Sequence, residues 1–365
     1  MTTEGPTGNT TGTTTGSTRH PGTAPFTGLG LDGSQVQQLL RSTAALQALA
    51  GLPLTFTVLG LDRLVPVSAA EEADSSGPES ASTPPARAPG LHLDSSIAAT
   101  YLAASGPDIP LVLPYAPQRD HPYNLARRAQ SADLLAHGTT GVLIGAADRA
   151  APAGRVWGTT ASQAEAAADA ATLLAALGQS WPADTVVADR ARDVFVESDR
   201  IRRVDHTGVF DSAGPLSAPT SEQTSPVLFW YAAGPGEALL APEAVDVVVL
   251  AGATEAGVGQ IAARTGPARR LLVQVDPAQA SRGPALRDAG ADGILIAAPG
   301  APLQDLLAEL AGLIDRARST GAPGTPTAVS RPAPLSLRER LGLPQPPDRL
   351  SDAAPAFASP LGASR

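Results

Sequence analysis

Seven apolar runs of strand length, most of them followed by a helix-length segment, set the tightest limit on how this chain folds. The runs lie at 55–60, 109–113, 141–144, 227–231, 245–251, 271–275 and 293–297, and the helical segments at 34–49, 95–104, 123–136, 162–177, 279–289 and 302–316. Strands apolar on both faces must be covered on both faces, and helices that follow each strand do this. Turn dipeptides such as Asp276-Pro277 and Pro299-Gly300 mark strand exits. Such a pattern fits either an α/β barrel or a doubly wound sheet. The glycine-rich stretch GATEAGVG after Ala251 lacks the spacing of a dinucleotide fingerprint. The expectation is therefore a (β/α)8 barrel.

Low-complexity stretches set the expected boundaries. Residues 1–25 are Thr, Gly, Ser and Pro with little to bury, a composition that cannot offset the entropy of ordering, and are expected as a disordered tail. A barrel is expected over 26–318, interrupted by a mobile loop at 67–89. Residues 319–365 then supply a linker (319–334), a short amphipathic helix (336–343) and a loose tail from 344 onward.

Composition removes several chemistries. The chain has no cysteine, so disulfides, Cys-ligated zinc and a thiolate nucleophile are excluded. All 26 basic residues are arginine, which excludes Schiff-base and Walker-type lysine chemistry. The five histidines, at 20, 92, 121, 137 and 206, have no local zinc spacing, and no metal site is expected. A net charge of −9 argues against a nucleic-acid partner. No apolar run reaches the roughly 20 residues of a membrane helix, and the start lacks a signal-peptide pattern, so a cytoplasmic protein without membrane contact is expected. With aromatics at only 4%, the core must be built from Ala, Leu, Val and Ile.

In a barrel, chemistry sits just beyond the strands' carboxyl ends. The polar residues there are Asp62, Arg119, Asp120, His121 and Asp276. His121 is the one histidine placed to move a proton, although its position before Pro122 also suits a helix cap. Asp276 before Pro277 has the form of an N-cap. Asp62 lies between apolar residues beside Arg63, a possible partner. Trp157, Trp181, Trp230 and Tyr231 read as packing residues, and Arg127, Arg128 and Asp133 as a solvated helix face. The remaining strand exits are small: Gly145-Ala146-Ala147, Ala232-Ala233-Gly234 and Ala298. A site joining Asp62, Asp276 and Arg119 rests on the barrel alone.

Four blocks carry a family resemblance. They are DHPYNLARRAQSADLLA (120–136), RIRRVDHTGVFDSAGPL (200–216), SPVLFWYAAGPGEALL (225–240) and SLRERLGLPQPPDRL (336–350). In this order they resemble the luciferase-like flavin monooxygenases, specifically the nitrilotriacetate and dibenzothiophene-sulfone monooxygenase branch. The resemblance implies a (β/α)8 barrel in which reduced FMN, supplied by a separate NAD(P)H-dependent flavin reductase, activates oxygen for attack on a small organic substrate. A homodimer is an expectation the Ala-rich helix faces do not decide.

Carried over position by position, the resemblance puts Asp62 against the flavin ring and the backbone of Ala233 and Gly234 at its phosphate. Elsewhere the chain departs from the family. The family strand close to GWNVVTS is here Gly141-Val142-Leu143-Ile144-Gly145-Ala146-Ala147, and the Thr-rich strand end before HPY is Ala116-Pro117-Gln118. A tyrosine expected early in the next helix is Gln163, and Gly-Ser-Ser at the phosphate loop is Ala232-Ala233-Gly234, with Glu237 close behind. Kept scaffold motifs beside lost polar groups give a second expectation: a degenerate barrel serving as a binding protein or as the partner of an active paralogue.

Overall fold

The structure, a computed structural model, describes residues 25–68, 93–149, 160–266, 268–319 and 335–357. Its strands are β1 (Phe26–Leu31), β2 (Phe56–Leu59), β3 (Leu64–Val65), β4 (Leu111–Tyr115), β5 (Thr140–Ile144), β6 (Ala147–Asp148), β7 (Val186–Asp189), β8 (Val194–Val196), β9 (Val204–His206), β10 (Ser212–Gly214), β11 (Val227–Ala232), β12 (Val247–Leu250), β13 (Arg270–Val275) and β14 (Gly293–Ala297). The α-helices are α1 (Gly33–Arg41), α2 (Thr43–Gly51), α3 (Ser95–Ser105), α4 (Pro122–Leu135), α5 (Gln163–Gln179), α6 (Pro235–Ala238), α7 (Glu255–Ala262), α8 (Gly283–Asp288), α9 (Leu303–Ser319) and α10 (Leu337–Arg340). Strands β1, β2, β4, β5, β11, β12, β13 and β14 pair in parallel in that order, and β14 closes on β1 with Phe26 opposite Gly293. This is the expected (β/α)8 barrel.

Alternation along each strand divides the core in two, because successive side chains point to opposite faces. Phe56, Val58, Leu143, Phe229, Val249, Leu272 and Leu295 fill the lumen. Leu29, Leu113, Val142, Trp230, Val248 and Val273 face outward against the helices. Close helix packing relies on small residues: Ala166, Ala167, Ala170 and Ala171 of α5 are fully buried, as an aromatic-poor composition requires. Capping fixes the helix starts. Asp32 with Gln35, and Ser162 with Glu165, form reciprocal capping boxes.

The carboxyl-terminal block closes the barrel at the strands' amino ends. Leu337 and Leu341 join the lumen core, and a Cβ on Gly141 would lie 3.2 Å from Leu337. Arg338, 2% exposed, donates to both oxygens of Asp246 at 2.8 and 3.1 Å and to Pro344 O at 3.1 Å. Arg270 donates to Leu341 O at 2.8 Å. This end of a barrel carries stability rather than chemistry.

Several sequence expectations need correction. The strand 26–31 escapes the apolar-run criterion, because two of its six residues are glycine. Gly28 is required there, since its Cβ would lie 2.5 Å from the Phe56 ring. The helix expected over 34–49 breaks at Ser42, which caps α2, and that expected over 279–289 is a 3-10 turn followed by α8. Between α5 and β11 run two antiparallel hairpins, β7–β8 and β9–β10. Residues 344–357 do not form a loose tail: Leu350 is buried, Arg203 N–H donates to Ala354 O, and Ala356 N–H donates to Ile201 O; the rest of the expected tail, 358–365, lies outside the described residues. Asp133 is not on a solvated face. It is fully buried and accepts from Thr140 N–H and Gln223 Nε2, both at 2.8 Å, and pairs with the Ser221 hydroxyl. Arg128 likewise ties α4 to Asp120 and to Ser96 Oγ. Val67, expected to open the mobile loop 67–89, is instead fully buried. The tail 1–25 before Pro25, the loop 67–89 beyond Ser68, the linker 319–334 beyond Ser319 and Trp157 lie outside the described residues.

Candidate functional site

At the carboxyl ends of the strands the lumen is lined by small residues. Gly30 follows on β1, Ala116 on β4, Gly145 on β5 and Ala297 on β14. Small side chains here would leave a basin, but the chain fills it. After β2 the backbone turns at Gly60, which has φ +87°, into a 3-10 turn, Leu61–Arg63, and crosses the mouth as β3. Leu61 and Leu64 drop into the lumen core, and Val67 beyond them is fully buried. The glycines accommodate them: a Cβ on Gly30 would lie 2.5 Å from Leu61, and one on Gly145 would lie 2.6 Å from Leu64 and closer still to Val65 O.

Main-chain pairing completes the closure. β3 pairs antiparallel with β6, Ala146 N–H donates to Val65 O at 2.9 Å, and Val67 bridges to β11. Val67 N–H donates to Tyr231 O at 2.7 Å, and Ala233 N–H donates to Val67 O at 2.8 Å. Arg63 clamps the crossing from outside, binding both oxygens of Asp148 at 3.1 and 2.6 Å. With Leu61, Leu64 and Val67 each under about a tenth exposed, lifting the segment out costs roughly 5–9 kcal/mol, an upper bound from burial of three aliphatic side chains.

The polar groups around this mouth bind one another. Asp62 accepts from Gly33 N–H at 3.0 Å. Asp32 accepts from Gly300 N–H, while Gln35 donates to Ala298 O and Ala301 O, locking the exits of β1 and β14 together. In the cleft beside the mouth, Arg119 pairs with Asp94 at 2.7 Å and lies 3.9 Å from Asp148. Burial pushes the Tyr231 phenol up to about 12, so it stays protonated and donates to Gln274 Oε1 at 2.6 Å. Burial also holds the Tyr115 phenol well above its usual range, and its hydroxyl donates to Asp120 O at 2.9 Å.

The expected site residues are not brought together. His121 caps α4: its Nδ1 accepts from Tyr123 N–H at 3.2 Å, and its ring meets Phe210 edge-on at 5.5 Å. Asp276 accepts from Gln279 N–H at 2.8 Å, the cap its sequence position suggested. Trp230 and Trp181 are packed, with their indole N–H groups donating to Glu237 O and Thr185 Oγ1. Gly234 leads only into the four-residue α6, too short to present a helix dipole, and the Glu237 carboxylate lies 3.3 Å from where a Gly234 Cβ would stand. No group of three or more metal-ligating side chains occurs among the described residues.

These residues do not fit FMN. The strand exits, across which the resemblance implies that the ring would lie, hold Leu61 and Leu64, the Ala233 N–H expected at the phosphate is taken by Val67 O, and the Glu237 carboxylate stands at the same loop. What sequence reasoning missed is the sealing segment itself. The signal available was the pairing of small residues at the strand exits with the apolar spacing of Leu61, Leu64 and Val67.

Similarity to known proteins gives the ancestry. No family model matches the chain. It is 33% identical over 249 residues to one of the subunits of pristinamycin IIA synthase from Streptomyces pristinaespiralis, an alignment spanning 68% of this chain and 76% of that one. Its fold resembles the EDTA monooxygenase EmoA of Chelativorans sp. BNC1, with TM-score 0.67 and 15% identity over 88% of this chain and 99% of that one. It also resembles the long-chain alkane monooxygenase LadA, with TM-score 0.65 and 12% identity over 87% and 95%. A riboflavin lyase, RcaE, solved with modified FMN and riboflavin, gives 0.61 and 16% over 88% and 96%. The chain belongs to the luciferase-like flavin-dependent monooxygenase family.

Proposed function

We propose that this chain is one component of a two-component flavin-dependent monooxygenase that oxidises a small organic substrate with O2. Reduced FMN, delivered by a separate NAD(P)H:flavin reductase, supplies the oxygen activation in such a system. The observation that carries the reading is the 33% identity to a pristinamycin IIA synthase polypeptide, sustained over 249 residues. The assembly is a pair of barrels, in which this chain partners an active paralogue rather than a second copy of itself.

The residues of this chain contribute a rigid, water-excluding scaffold. Leu61, Leu64 and Val67 keep its mouth dry, and Arg63 with Asp148 holds them in place. No proton-transfer step is assigned to His121, whose accepting nitrogen is engaged in the helix cap.

The test is co-expression with a luciferase-like oxygenase barrel from the same organism, followed by oxygen uptake in the presence of a flavin reductase, NADH and FMN. A panel of small amines, sulfur compounds and cyclic peptides serves as substrate, with product mass as readout. The expected result is co-elution of the two barrels and turnover at least tenfold above that of the paralogue alone. Equal rates with and without this chain across the panel, together with separate elution, would overturn the proposal.

A further inference from the structure

We infer that the mouth of this barrel is a permanent seal, that the chain itself binds no flavin, and that the flavin of the oxygenase is held by the partner barrel. The last clause rests on the proposed function, whereas the first two rest on this chain alone.

Three separate sets of residues point the same way. The first is filling: Leu61 and Leu64 belong to the same lumen core as Phe229, Val249 and Leu295, so they are part of the packed interior rather than a flap resting on it. The second is accommodation. Gly30 and Gly145 supply the room, and at either position a side chain would collide with the segment. The third is backbone chemistry: three main-chain hydrogen bonds, from Ala146, Val67 and Ala233, stitch the crossing to β6 and β11. The last of these engages Ala233 N–H, one of the two amides that the resemblance places at a phosphate, and Glu237 adds a negative charge at the same loop.

A gate could be built from the same segment only if opening were cheap. A protein whose competent state is a small fraction of the whole binds its ligand more weakly by that fraction. Exposing three core aliphatic side chains and releasing the Arg63–Asp148 clamp puts that fraction on the order of one in a thousand, so an intrinsic micromolar affinity would become millimolar.

The absence of native cysteine allows a clean lock. Val65 and Ala147 are directly opposed across β3 and β6, so Val65→Cys with Ala147→Cys places two thiols across the seal. The full-length chain, wild type and double variant, is titrated anaerobically with oxidised and with photoreduced FMN to 1 mM, following flavin fluorescence and thermal unfolding. The expected result is no saturable binding by the wild type or by the variant, whether oxidised or reduced. Saturable wild-type binding that disappears when the pair is oxidised would overturn the seal in favour of an opening mouth. Saturable binding that is the same in all samples would overturn the inference by showing a flavin site elsewhere on the chain. If the double variant does not fold, the wild-type titration decides alone. None of these readouts needs turnover, so the two proposals fail separately. A chain that binds FMN defeats the inference and leaves the oxygenase reading standing, and one that binds none yet never raises the paralogue's turnover defeats that reading and leaves the seal.

Discussion

Arg338→Ala is expected to lower the free energy of unfolding by about 3–5 kcal/mol, the usual cost of breaking a buried, hydrogen-bonded ion pair from one side. The guanidinium is 2% exposed and binds Asp246 through two nitrogens. Asp246 in turn accepts from Leu228 N–H at 3.0 Å at the start of β11. Removing Arg338 therefore leaves the Asp246 carboxylate without its bidentate partner, with the Arg269 charge nearby, and the Pro344 carbonyl without its donor, and it loosens the strap that holds Leu337 and Leu341 against the lumen. Arg338→Lys keeps the charge but not the two-pronged geometry, and should fall between the two. Urea denaturation of both variants measures this. A loss below about 1 kcal/mol for Arg338→Ala would contradict the assignment of the SLRERLGLP segment to stability at the amino end of the barrel.

The second large effect is expected at Asp133 and depends on pH. Burial raises its carboxyl from 3.8 to about 7, against the opposing influence of its bonds from Ser221, Thr140 and Gln223. Below about pH 4 folded and unfolded chains are both protonated at this site, and it contributes its full stability. Between about 4 and 7 the unfolded chain gives up the proton while the folded one keeps it, so stability falls by about 1.4 kcal/mol per pH unit and levels off above 7. From pH 5 to 8 the loss attributable to Asp133 is about 2–3 kcal/mol. Asp133→Asn should abolish this slope, because the amide oxygen can still accept from Thr140 and Gln223 while its NH2 donates to Ser221 Oγ. Chemical denaturation of both proteins at pH 5, 6, 7 and 8 tests it. Parallel pH profiles for wild type and Asp133→Asn would show that Asp133 is ionised in the native state throughout.

The fold was legible wherever burial on both strand faces left a continuous apolar run, as at 227–231, 271–275 and 293–297. It was obscure where glycine replaced side chains for close packing. β1 is the example: Gly28 and Gly30 make room for Phe56 and Leu61, and the same exchange that closes the barrel removes the periodic signal. Short helices such as α7, eight residues with two glycines, were missed for the same reason. Caps were readable in residue type and partner, as Asp276 and His121 show. A buried acid such as Asp133 was not, since two of its three partners, Ser221 and Gln223, come from some ninety positions away.

The mouth lay between these cases. The loss of hydroxyl and amide groups at 143–147 and 232–234 was visible in the sequence, and so was the family to which the scaffold belongs. What replaced the lost groups was harder to read, because the three-residue spacing of Leu61, Leu64 and Val67 fits neither a strand nor a long helix, and they meet their partners only through the barrel closure. Asp62 stands at the strand exit where the resemblance implies a flavin contact, and its carboxylate accepts from Gly33 N–H at the start of α1.

Amide hydrogen exchange of Val67, Ala146 and Ala233 tests the closed mouth most directly, because it reads the hydrogen bonds that form it without ligand, partner or turnover. The expected result is protection comparable to that of amides inside β11 and β12, requiring opening free energies of several kcal/mol. Exchange of all three amides at the rate of exposed loop residues, while β11 stays protected, would contradict a sealed barrel.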